Sequence, residues 1–94
     1  MKVKYYYENQ LIRTSENDTY EYALLFVCKD GTFKTCKCST KYANCLKELN
    51  YKTKAETLAK QHGITIEEAY KKFGLWSSQL CRRENYIIVK LEIK

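Results

Sequence analysis

The chain predicts an α+β fold: an antiparallel sheet of two hairpins plus a C-terminal strand, covered by two or three short helices. Three observations carry that expectation. Residues 20 to 38 read as a β-hairpin, with strand-forming residues from Tyr20 to Cys28 and from Phe33 to Cys38 on either side of Lys29-Asp30-Gly31-Thr32. At Ser39-Thr40 the spacing of apolar residues changes from two to about 3.6. The run Tyr86-Ile87-Ile88-Val89-Lys90-Leu91-Glu92-Ile93 is a strand by composition and puts Ile87, Val89, Leu91 and Ile93 on one face.

In chain order, Lys2 to Tyr7 alternates Val3, Tyr5 and Tyr7 against Lys2, Lys4 and Tyr6. Glu8-Asn9-Gln10 then makes a short turn before Leu11-Ile12-Arg13-Thr14, giving a first hairpin. Ser15-Glu16-Asn17-Asp18 is a polar loop, and Thr19 leads into the central strand. Asp30-Gly31 can supply the two positive-φ residues of a type I′ turn, which sets Cys28 opposite Phe33, Phe26 opposite Thr35 and Leu25 opposite Cys36. One face then carries Leu24, Phe26, Cys28 and Phe33, and the other Ala23, Leu25, Val27, Cys36 and Cys38. Two apolar faces imply a central strand pair with packing on one side and partial cover on the other.

A helix capped at Ser39 or Thr40 follows, with Tyr42, Ala43, Cys45, Leu46 and Leu49 along its apolar face and fraying near Asn50. Thr53-Lys54-Ala55-Glu56 and Thr65-Ile66-Glu67-Glu68 are two capping boxes, opening helices that stop at Gly63 and near Gly74, with Ile64 as a hydrophobic staple onto Ala69. Trp76 is a large anchor whose indole N–H wants a partner.

Ninety-four residues form a single domain, 1–94, too small for a core plus a separate catalytic lobe. A 45% hydrophobic fraction supports folding, while 30% charged residues point to a water-facing surface. No apolar run approaches the ~20 residues of a membrane span. The N-terminus lacks the apolar core of a signal peptide, so a cytoplasmic location and no membrane partner are expected. The net charge of +6 is unevenly placed: residues 39–83 carry nine basic and four acidic groups, against six and five in residues 1–38. A localised basic field attracts nucleic acid or an acidic protein surface, although a solvated helix face is the ordinary origin of such lysines.

No constellation for catalysis is evident, and none of the functional readings calls for an enzyme. His62, the sole histidine, precedes the helix-ending Gly63, where it suits free carbonyls and the helix dipole. Glu67-Glu68 belongs to a helix start, and the three glycines form no phosphate loop. Five cysteines at 28, 36, 38, 45 and 81 are odd in number and lack zinc-finger spacing, so reduced thiols acting as small hydrophobes, with no cofactor and no metal, are expected. A module held by metal on Cys36, Cys38 and Cys45 is the competing reading.

Leu58 to Thr65 followed by Ala69 looks like a helix-turn-helix, although Glu67 and Glu68 would meet phosphates unfavourably and Lys72 stands where an apolar residue is usual. The tyrosines near the first two strands sit in a nearly neutral segment. They therefore lack the interleaved basic groups of a nucleic-acid platform and favour a protein surface slightly.

The opening Tyr5-Tyr6-Tyr7-Glu8-Asn9-Gln10-Leu11-Ile12-Arg13-Thr14-Ser15, with Thr19-Tyr20 and Ala23, resembles the start of small uncharacterised proteins encoded by phages and mobile elements of Gram-positive bacteria. The resemblance covers about the first half of the chain and transfers no functional residue. It implies a context in which small accessory proteins bind host proteins or nucleic acid, and some, such as anti-CRISPR proteins, inhibit host defence.

The expected function is accordingly a non-enzymatic binding protein that inhibits a host defence nuclease complex by occlusion. Its partner would be a host defence protein or ribonucleoprotein complex, with possible direct nucleic-acid contact. Two surfaces could engage it: the hairpin edge with Tyr6, Arg13 and Tyr20, or the basic helical face with Lys52, Lys54, Lys71, Lys72, Arg82 and Arg83. The alternative is a small basic DNA- or RNA-binding regulator using the helical hairpin at 53–74.

Overall fold

The computed structural model describes residues 2–16 and 20–93; of the predicted loop, Asn17, Asp18 and Thr19 lie outside the described residues. The elements are β1 (Val3–Tyr7), β2 (Gln10–Ser15), β3 (Tyr22–Val27), β4 (Phe33–Ser39), α1 (Tyr42–Lys52), α2 (Lys54–His62), α3 (Ile66–Lys72), β5 (Tyr86–Lys90) and β6 (Glu92–Ile93). The fold is α+β, with its strands divided between two antiparallel sheets of order β2-β1-β6 and β4-β3-β5.

The C-terminal strand is what joins them. Residues 86–90 pair with β3, and after Leu91 the chain crosses over so that Glu92 and Ile93 pair with Tyr6 and Tyr5 of β1. Leu91 marks the switch, buried between the sheets while its N–H donates to the Glu21 carbonyl at 2.8 Å. On the other side β2 and β4 meet without a backbone ladder. The Gln10 side chain stands in for one: its Nε2 donates to the Phe33 carbonyl (2.9 Å) and its Oε1 accepts the Phe33 N–H (3.0 Å). The Thr35 hydroxyl adds a bond to the Ile12 carbonyl at 2.9 Å. The two sheets thus approach a closed barrel, sharing one bent strand and fastened by side chains along the opposite seam.

Two apolar clusters follow from this geometry. Tyr5, Ile12, Ala23, Leu25, Val89 and Leu91 fill the space between the sheets. Leu24, Cys45 and Leu49 pack α1 onto the outer face of the second sheet, with Tyr22, Cys36, Tyr86 and Ile88 against them. Ile87, Val89 and Leu91 share a face as predicted, whereas Ile93 is exposed despite pairing with Tyr5.

The predicted register of the central hairpin needs correction. Its loop has three residues, not two: the Gly31 N–H donates to the Cys28 carbonyl, the Cys28 N–H donates to the Thr32 carbonyl, and only Gly31 takes a positive φ, of 87°. Asp30 is engaged elsewhere, its carboxylate accepting the Thr32 N–H (2.9 Å) and hydroxyl (2.6 Å), which holds its pKa below the usual value. The type I′ geometry lies instead in the first hairpin, where Glu8 and Asn9 have φ of 47° and 67°. A bulge then changes the faces of β4. Leu25 pairs with Thr35 and Leu24 with Lys37, leaving Cys36 as the extra residue. Cys36 therefore joins the cluster under α1, while Cys38 and Phe33 pack between the sheets.

Among the helices, α1 runs past Asn50 to Lys52 and its N-cap is Lys41 rather than Ser39 or Thr40, although the Ser39 hydroxyl accepts the Lys41 N–H and the Asn44 side-chain amide beside it. The second capping box forms in full: Thr65 Oγ1 accepts the Glu68 N–H (3.1 Å) and Glu68 Oε1 accepts the Thr65 N–H (3.2 Å). The first does not. Thr53 is fully buried, its hydroxyl donates back to the Leu49 carbonyl at 2.8 Å, and Glu56 instead accepts the Arg83 N–H at 3.1 Å.

The pair α2 and α3 packs chiefly on itself through Ala59 and Ala69, with a smaller contact to α1, and so forms a lobe beside the sheets. The molecule measures 49 × 27 × 18 Å, and its radius of gyration of 15.3 Å exceeds the roughly 12 Å of a compact chain of this length.

Candidate functional site

The two surfaces expected from the sequence belong to different parts of the molecule. On the sheet side, the Arg13 guanidinium lies over the Tyr20 ring, 4.8 Å from its centroid, and Tyr20 in turn meets the buried Tyr5 edge to face at 5.6 Å. Arg13 and Tyr20 are therefore brought together, with Arg13 exposed. Tyr6 is not brought to them. It pairs with Leu11 and Glu92 and alternates with the core-facing Tyr5, which directs it to the opposite face of the first sheet, half-buried next to the exposed Leu11.

On the helical side the six basic residues do not share one role. Arg83 is used within the chain: its Nη2 donates to Asn50 Oδ1 at 2.6 Å and to the Thr53 hydroxyl at 3.3 Å, fastening the segment after α3 to the junction of α1 and α2. Lys52 is half-buried, and its carbonyl accepts the Cys81 N–H. Lys54 is exposed at the start of α2, and Lys71 and Lys72 are exposed in the last turn of α3, where cations suit the helix dipole. Arg82 lines an open groove of about 670 Å³ together with Glu56, Lys60, Ile64, Thr65 and Glu67. Two cations and two carboxylates share that groove, so it has no strong preference for a charged ligand of either sign.

The surface that sequence reasoning missed is aromatic. Trp76 is 72% exposed rather than anchored in a core. Its backbone N–H donates to the Gln79 side-chain oxygen (2.9 Å) at the start of a short 3-10 turn, Ser77–Gln79, and the indole is left in water. Tyr51, also exposed, shares a 3.1 Å hydrogen bond between its hydroxyl and that of Ser78, which places it in the same neighbourhood. Phe73 is partly exposed, with His62 at 5.1 Å and the Lys72 ammonium at 5.7 Å from its ring. The signal available in the sequence was Gly74 followed by polar Ser77-Ser78, which flank Trp76 with residues that pack little.

Of the five thiols, Cys45 is buried and the other four are partly buried. Burial pushes Cys36, Cys38 and Cys45 up from the ordinary thiol value, so they stay protonated at neutral pH. Cys36 and Cys38 belong to different clusters, and among the described residues no three metal-ligating side chains converge. No helix among the described residues is long and apolar enough to cross a membrane. Comparison with protein-family models, with curated proteins and with solved structures gives no match.

Proposed function

We propose that the chain is a non-enzymatic binding protein of a phage or mobile element, which inhibits a host defence nuclease complex by occlusion as an anti-CRISPR-type inhibitor would. The observation that carries the binding reading is Trp76, 72% exposed beside a projecting helical lobe. An indole left in water forgoes about 2 kcal/mol or more of burial free energy, which a partner surface recovers. The mobile-element context comes from the N-terminal resemblance alone. A net charge of +6 opposes DNA mimicry, so the target surface is an acidic protein face or a guide-RNA backbone. A chain 49 Å long with recognition groups on both its sheet and helical parts has the reach to block a nucleic-acid channel.

The test is capture by tagged chain from a Gram-positive host with an active defence nuclease, with and without nuclease treatment, followed by a target-cleavage assay on what is captured. A nuclease-resistant complex whose cleavage stops at stoichiometric amounts of the chain is the expected result. Recovery of nucleic acid alone, lost as salt rises, sinks inhibition and favours a DNA- or RNA-binding regulator. One observation favours that second reading: α2 and α3 are joined by Gly63-Ile64-Thr65, with Gly63 left-handed at φ 64° and Thr65 capping α3, as a helix-turn-helix requires. Against it, α3 has seven residues and opens on Glu67 and Glu68.

A further inference from the structure

The sequence gathers five of its nine tyrosines in the nearly neutral residues 1–38, which argues against a base-stacking surface in that segment. The fold changes that balance. Tyr51, Phe73 and Trp76 are exposed rings that all lie within the basic half of the chain, and the Lys72 ammonium stands 5.7 Å from the Phe73 centroid. Lys71 is exposed beside Lys72, and Ser77 and Ser78, both exposed, follow Trp76 in the chain, with the Ser78 hydroxyl bonded to that of Tyr51.

We infer that this neighbourhood binds an unpaired nucleic-acid strand, with Trp76 and Tyr51 as stacking platforms and Lys71 and Lys72 as phosphate contacts. The inference deepens the binding reading above and rests on it, by assigning the chemistry of the partner at the helical end. Three features favour this occupant. A flat ring left 72% exposed offers its π-face to any base, and bases become available for stacking only when they are unpaired. Charge complementarity favours an anion, since Lys71 and Lys72 are both exposed in the last turn of α3, five and four residues before Trp76. The hydroxyls of Ser77 and Ser78 are of the kind that meet phosphate and sugar oxygens. Duplex is disfavoured, because insertion of α3 into a groove would bring Glu67 and Glu68 at its start against phosphates.

Trp76 is the only tryptophan, so its own fluorescence reports the event. The purified chain is titrated with oligothymidylate and oligouridylate of roughly 15 nucleotides, the upper range of a single-strand site. Duplex of the same length and polyglutamate serve as controls. Saturable quenching by the single strands, weakened by salt and weak or absent with duplex and polyglutamate, is expected. With labelled oligonucleotide and anisotropy as readout, Trp76→Ala weakens binding about tenfold while Trp76→Phe retains most of it. The double variant Lys71→Glu, Lys72→Glu weakens binding and flattens its salt dependence. Thermal melting confirms that each variant is folded, as expected for exposed positions. Absence of binding, equal binding by Trp76→Ala, or equal quenching by duplex or polyglutamate overturns the inference. Strand binding depends on no host factor, so its failure is separable from failure of inhibition: a captured nuclease complex that still needs Trp76 would leave the inhibitor reading standing with a protein contact in place of the strand.

Discussion

Arg83 shows how one side chain can look like a ligand-binding group and act as a fastener. Its guanidinium reaches Asn50 and the buried Thr53 hydroxyl, and its backbone N–H is accepted by Glu56, so three points of the α1–α2 junction converge on one residue. Arg83→Ala removes the guanidinium bonds and leaves the Thr53 oxygen with its single bond to Leu49, so a loss of about 1 kcal/mol in urea unfolding is expected. Lys54→Ala and Arg82→Ala are exposed changes and should stay within roughly 0.5 kcal/mol of the parent. A result in which Arg82→Ala destabilises as much as Arg83→Ala would refute this division of roles. Arg13 illustrates a second role, stacked on Tyr20, where a planar guanidinium fits and a lysine would not replace it fully.

At the scale of elements, the helical lobe depends on its turn. Gly63 adopts a left-handed φ of 64° and its N–H closes α2 onto the Ala59 carbonyl region, where a Cβ meets no neighbour but strains the backbone. Gly63→Ala is expected to cost about 1 kcal/mol, seen as faster hydrogen exchange in α2 and α3 with little change in the sheets; uniform acceleration across the chain would contradict a semi-independent lobe. The helices and their stops were legible because glycine placement and the Thr65–Glu68 box act within a few residues. The matching Thr53–Glu56 pattern was misleading because its partner lies elsewhere: Glu56 and Arg83 are 27 residues apart, and the Thr53 side chain is drawn back into α1. The bulge at Cys36 was likewise not readable, since an extra residue in one strand is set by the paired strand and by the three-residue loop, not by local composition.

For the whole molecule, the seam between β2 and β4 is held by Gln10 and Thr35 rather than by a ladder. Gln10→Ala unpairs both backbone groups of Phe33, and a loss of about 1–2 kcal/mol with faster exchange of the Phe33 amide is expected; an unchanged melting curve would show that the sheets are fastened elsewhere. The two hairpins and their order were legible in the alternation of apolar residues, but the C-terminal run expected as one strand is two, β5 and β6, in different sheets, because nothing in residues 86–93 announces that Leu91 passes the chain from one sheet to the other. The candidate surfaces were legible only as charge; the exposure of Trp76 depends on how α3 ends and where the following turn points. The shared final strand also orders events during synthesis. While the ribosome still covers residues 86–93, β1 and β3 each have one hairpin partner and one open edge, and neither sheet can be completed. Emergence of those eight residues supplies both missing neighbours together, so the two sheets are completed in one step rather than in turn.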